Sequence, residues 1–182
     1  MTRLSIASAL ALLIAPSAFA DRDGDKIRAR LTGYNEVPSV STVARGDFEA
    51  RISRDEQFID YELNYRGLQG TVTQSHIHFG QRHTNGGIVL WLCQTATNPS
   101  PVPTTPTCPP STATGVTVTG TLRAADVVAA QAPQQLAAGE LAEIIDAIRA
   151  GAAYVNVHSN LSPGGEIRGQ VGDGRGHDRH HH

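Results

Sequence analysis

The chain has 182 residues, with 15 basic and 17 acidic side chains and a formal net charge of −2. No basic field of the kind that holds a polyanion is present, which excludes nucleic acid as a partner class. The length suits a single domain with a core of its own.

Arg3, the apolar run from Ile6 to Ala15 and the small-x-small end Ala18-Phe19-Ala20 read as a secretory signal peptide over residues 1–20. The run is too short to span a membrane, and no later stretch is long enough either. Removing it leaves 162 of the 182 residues, with 14 basic and 17 acidic. In an exported chain, periplasmic or extracellular, the two cysteines Cys93 and Cys108 read as a disulfide, with two unpaired thiols as the alternative. Two cysteines alone cannot make a structural metal site.

Asp21 to Lys26 alternates acids around one glycine but lacks the spacing and closing glutamate of a calcium loop, so it reads as a solvated N-terminus. Ile27, Ala29 and Leu31 then alternate with Arg28 and Arg30, a strand wet on one face. Asn35 to Val40 is an irregular link. Phe48, Ala50 and Ile52, then Ile59, Tyr61, Leu63 and Tyr65, alternate with polar residues, and Ser53 to Gln57 has the length of a hairpin loop between two strands. Val72 to Phe79 is the next strand, and Asn85-Gly86-Gly87 turns the chain into the nearly continuous apolar run Ile88 to Cys93. Residues 98 to 110 hold six of the ten prolines and read as a surface loop stapled by the cysteines. Val116, Val118, Gly120 and Leu122 alternate with threonines in a further strand, and Ala124 to Ala130 reads as a helical turn.

Leu141, Ile144, Ile145 and Ile148 fall at i, i+3, i+4 and i+7, which predicts a helix over 139–151 capped by Gly151. Ala153 to His158 and Glu166 to Val171 are the last two strands. The Gly/His-rich stretch 172–182 reads as a disordered tail able to capture metal loosely. The domain is thus residues 21–171, mainly β, an antiparallel Greek-key sandwich or barrel of about eight strands with one inserted helix.

Two of these strands carry the candidate chemistry. Side chains alternate faces, so His76 and His78 share one face while Ile77 and Phe79 take the other. Likewise Tyr154, Asn156 and His158 oppose Val155 and Val157. Three imidazoles on adjoining strands can hold copper or zinc if their donor nitrogens converge to about 3–4 Å. Hydrogen bonding within a polar layer of the barrel is the competing role for the same rings. His83, in a Gly-rich loop, is a possible fourth ligand and otherwise an exposed residue. Asn156, together with Glu166 and Arg168 alternating on the last strand, are candidates for the layer behind the ligands. An ion pair on the strand face is the plainer reading of the last two. No Gly-x-Ser-x-Gly turn and no phosphate-binding glycine loop is present, and no catalytic residue is assigned.

Asn35-Glu36-Val37-Pro38, His76-Ile77-His78-Phe79-Gly80, Asn85-Gly86-Gly87, Tyr154 to Ser159 and Pro163 to Gln170 occur in this order. Together they closely resemble the CHRD domain, a module repeated in chordin and found as single exported domains in bacteria. The resemblance covers residues 27 to 171. It implies a β-barrel with limited similarity to copper–zinc superoxide dismutases, and no settled activity. His76 and His78 match the family's His-x-His strand, and His158 its asparagine-valine-histidine strand. A His-x-His pair with a late-strand histidine is also similar to three dismutase copper ligands, but nothing here matches the dismutase zinc loop or active-site arginine segment. Three functional readings stand: an extracellular interaction or structural module with a protein or matrix partner, a copper- or zinc-binding protein, and a dismutase-like redox enzyme.

Overall fold

Alternating sequences pair edge to edge wherever one face has apolar surface to bury. In this protein they form one eight-stranded antiparallel sheet curled into a nearly closed barrel. The computed structural model describes residues 26–130 and 132–172. The expected signal peptide, the polar lead before Lys26 and the expected tail beyond Gly172 lie outside the described residues.

The strands are β1 (Lys26–Thr32), β2 (Arg45–Ile52), β3 (Phe58–Arg66), β4 (Val72–Phe79), β5 (Gly87–Cys93), β6 (Val116–Arg123), β7 (Ala153–Ser159) and β8 (Ile167–Gln170). Their spatial order is β5-β4-β7-β8-β1-β2-β3-β6. The helix α1 (Leu141–Arg149) precedes β7. Every strand expected from alternation is present. The helical turn expected over 124–130 shrinks to a 3-10 turn, Ala124–Asp126. The helix starts two residues later than predicted because Gly139 is left-handed, with φ +88°. Gly151, at φ +69°, ends it as expected. Leu141, Ile144, Ile145 and Ile148 are all buried in the common core.

The ends of the sheet, β5 and β6, come together without pairing. Tyr61 Oη closes the seam by donating to Leu92 O at 2.6 Å. The proline-rich loop lies alongside, held by the Cys93–Cys108 disulfide and by Gln94 N and Cys108 N donating to Pro106 O and Gln94 O. The staple closes a span of 15 residues, which stabilises by about 3 kcal/mol through restriction of the unfolded chain. Replacing both cysteines with serine is therefore expected to lower stability in urea by about that amount. An unchanged unfolding midpoint would remove the staple from this account.

Ile77, Val155, Val157 and Ile167 point into the barrel core with Leu31, Phe48 and Leu63. Alternation therefore turns His76, His78, Asn156, His158 and Arg168 to the outside of the barrel. All five are nevertheless buried. Three connections fold over this face: the β1–β2 link with Glu36 and Val37, the β4–β5 loop, and the β7–β8 turn with Pro163 and Gly165.

Candidate metal centre

On the outer face, antiparallel register sets His76 opposite Asn156 and Asn156 opposite Arg168. One step along, His78 faces Tyr154; one step the other way, Gln74 faces His158. The three histidines thus lie on a diagonal across β4 and β7. One donor nitrogen from each falls within 4.8 Å of the others. His76 Nδ1 and His158 Nε2 are 3.2 Å apart.

The tautomers follow from the partners. His78 Nδ1 lies 2.9 Å from Gly86 O, and His158 Nδ1 lies 2.8 Å from Pro163 O. A carbonyl oxygen only accepts, so both Nδ1 atoms carry the proton and donate it. Each ring is left with a bare Nε2. His78 Nε2 is buried with no hydrogen-bond partner, and so is His76 Nε2. The His76 ring meets Trp91, its neighbour across β5, at right angles with centroids 4.3 Å apart. His78 stacks flat on Tyr154 at 4.6 Å, and the Arg168 guanidinium covers the far side of that phenol at 3.3 Å.

Burial holds His76 far below its ordinary range, to about 2, with His158 and His78 acting in the same direction. Burial likewise lowers His78 to about 4, and it lowers His158. At neutral pH all three rings are uncharged, the state in which imidazole binds a metal. Tetrahedral bonds of about 2.0 Å separate two donors by about 3.3 Å. The His76–His158 pair already meets that spacing. The widest separation, 4.8 Å, exceeds the 3–4 Å expected from the sequence, and must contract by up to about 1.5 Å around an ion.

The remaining candidates fall elsewhere. His83 sits at φ +62° in an exposed turn and is not part of the cluster. Glu166 and Arg168 do not pair with each other. Glu166 precedes β8 and accepts from Thr42 Oγ1 at 2.8 Å, Gln69 N at 2.7 Å and Ser159 Oγ at 2.6 Å. Arg168 instead holds the β4–β5 loop, donating to Gln81 O, Thr84 O and Asn85 Oδ1. That loop presents Gly86 O to His78, so Arg168 supports the site indirectly. Asn156 does reach a candidate ligand, with Oδ1 2.9 Å from His158 Nε2.

Glu36 is a participant that alternation could not find, because it lies in an irregular link. Burial raises its carboxyl to about 7, with Arg168, the Val37 N–H and the Asn156 amide acting against the rise. Its Oε1 has no partner at hydrogen-bond distance, so the Asn156 contact is a long one. Gly165, at φ +124°, packs on both: a side chain there would collide with Glu36 Oε1 and come to 2.8 Å of Asn156 Nδ2.

Fold and site together define a small antiparallel barrel with a buried imidazole cluster under its loops. The CHRD domain family matches residues 27–171, and the chain belongs to that family. No curated protein and no solved structure matches it, and the likeness to dismutases expected from the sequence is not shown by any comparison.

Proposed function

We propose that this CHRD-domain protein is exported, with residues 1–20 as its signal peptide and 21–171 as the folded unit, and that it holds one copper or zinc ion on His76, His78 and His158. The observation that carries this reading is three neutral, buried imidazoles on two strands with one nitrogen of each within 4.8 Å of the others, two of the rings being held with Nε2 unprotonated. Nitrogen donors of this kind suit zinc and copper. Backbone carbonyls already hold two of the rings in the ligating tautomer, as second-layer partners do in metal sites. The disulfide agrees with an oxidising compartment. Among the described residues no helix is long and apolar enough to cross a membrane. An interaction role with a protein or matrix partner has no specific observation behind it. Dismutase-like chemistry rests on the histidine spacing alone.

The test is titration calorimetry with zinc(II) and copper(II), on the exported chain carrying serine in place of His177, His180, His181 and His182. One ion per chain is expected. His158→Ala should weaken binding at least 100-fold while leaving the barrel folded, and His83→Ala should leave affinity unchanged. Absence of binding once the tail histidines are gone would overturn the internal site. So would a His158→Ala chain that binds as tightly as its parent.

A further inference from the structure

We propose that Asn156 Oδ1 is a fourth donor, making the centre a cage of three nitrogens and one oxygen suited to a divalent ion. The proposal rests on the metal reading above and adds a ligand that carries no charge and no imidazole.

His158 Nδ1 donates to Pro163 O, so His158 Nε2 carries a lone pair. Asn156 Oδ1 stands 2.9 Å from that nitrogen. A carbonyl oxygen and an unprotonated nitrogen have no proton to share, and at this distance they repel unless positive charge joins them. The same amide also interacts with His78, whose bare Nε2 has no hydrogen-bond partner. A proton on His76 Nδ1 can fill only the gap to His158. The remaining lone pairs, from His78 Nε2 and Asn156 Oδ1, still lack a donor. A cation among these four atoms satisfies them together.

The amide's other end fixes which way it faces. Asn156 Nδ2 lies on the Glu36 side, packed with Glu36 Oε1 against Gly165. Turning the amide over would set its oxygen against Glu36 Oε1, which repels it whenever that carboxyl is ionised. Glu36 is thus a positioning residue that keeps the amide oxygen aimed at the rings. An amide oxygen is a harder donor than imidazole and favours zinc(II) or copper(II) over copper(I). In the reversed orientation the amide would instead donate to His158 Nε2 and occlude it, and removing the side chain would then strengthen metal binding.

The probes are zinc(II) by calorimetry and cobalt(II) by visible absorption, on the full exported chain with the four tail histidines changed to serine. The parent cobalt complex should show an intense four-coordinate band that azide leaves unaltered, because the fourth position is filled. Asn156→Leu should lower zinc affinity roughly 10- to 100-fold, shift the cobalt band, and make it respond to azide. Glu36→Gln should weaken zinc binding by a smaller factor and keep the band insensitive to azide. An azide-sensitive parent spectrum would overturn the proposal without any variant. Unchanged or tighter zinc binding by Asn156→Leu would also overturn it, and either result leaves the three-histidine site standing. A parent chain that takes up neither ion defeats both readings.

Discussion

Glu166→Leu is expected to be among the most destabilising single substitutions in the barrel, at about 3–6 kcal/mol. The carboxylate is 1% exposed and ties three connections together at one end of the barrel. Thr42 Oγ1 comes from the β1–β2 link, Gln69 N from the β3–β4 turn, and Ser159 Oγ from the end of β7. Hydrogen bonds to a charged acceptor contribute roughly 1.5–3 kcal/mol each, and a buried donor left without one costs a similar amount. The two hydroxyls can rotate toward other acceptors, but the Gln69 N–H cannot, so the loss is less than the sum of three bonds. Glu166→Gln keeps the shape and one oxygen yet turns an amide NH2 toward converging donors, at about 2–3 kcal/mol. Both figures are large against a total stability of about 5–15 kcal/mol. The β7–β8 turn that Glu166 anchors also carries Pro163 O, the carbonyl that sets the His158 tautomer. Metal affinity should therefore fall in Glu166→Gln even where the barrel remains folded. Chemical denaturation of the metal-free variants measures the stability term. A loss under about 1 kcal/mol in both variants would show that the carboxylate is replaceable.

The strands were legible because each writes its period into a few consecutive residues. Ile59, Tyr61, Leu63 and Tyr65 are enough to place β3, and the helical stripe of Leu141, Ile144, Ile145 and Ile148 is enough to place α1. The face shared by His76 and His78 follows from the same rule. The layer above that face was not legible. Alternation says that Glu166 and Arg168 lie on one side of a strand, but it does not say which loops descend on that side. Glu166 is occupied by donors 7, 97 and 124 residues away in sequence. Arg168 is taken up by carbonyls 84 and 87 residues away. Once those partners exist, the ion pair expected between the two has no claim on either. Glu36 was hidden for the same reason: its environment is made by Gly165, Asn156 and Arg168, all remote in sequence.

The metal-free protein is expected to lose stability steadily on acidification below pH 6.5, and replacing Glu36 should steepen that loss between pH 6.5 and 4.5. In the unfolded chain the imidazoles titrate near 6.5, whereas in the fold His78 titrates at about 4 and His76 at about 2, and His158 is also lowered. Below pH 6.5 the unfolded state therefore binds more protons, and stability falls as pH falls. Each pH unit corresponds to about 1.4 kcal/mol per ring, so His76 and His78 together account for a loss on the order of 5 kcal/mol by pH 4.5. Glu36 runs the other way. Its carboxyl is raised from 4.5 to about 7 in the fold. Between those values the folded state binds the extra proton, and acidification adds stability, on the order of 3 kcal/mol by pH 4.5. Below about pH 4.5 Glu36 is protonated in both states and its offset stops growing, but His78 takes up its proton in the fold near pH 4 and stops losing, so the net slope from these three groups stays near that of one ring. Urea denaturation of the metal-stripped chain at half-unit steps from pH 7 to 3.5 should show a steady decline without a break. Glu36→Gln removes the opposing contribution, so its decline should be steeper than the parent's from pH 6.5 to 4.5 and run nearly parallel to it below about pH 4. Stability constant from pH 6.5 to 3.5 would mean that the rings are not held neutral by burial. A Glu36→Gln curve parallel to the parent between pH 6.5 and 4.5 would mean that the buried carboxyl is not the source of the offset.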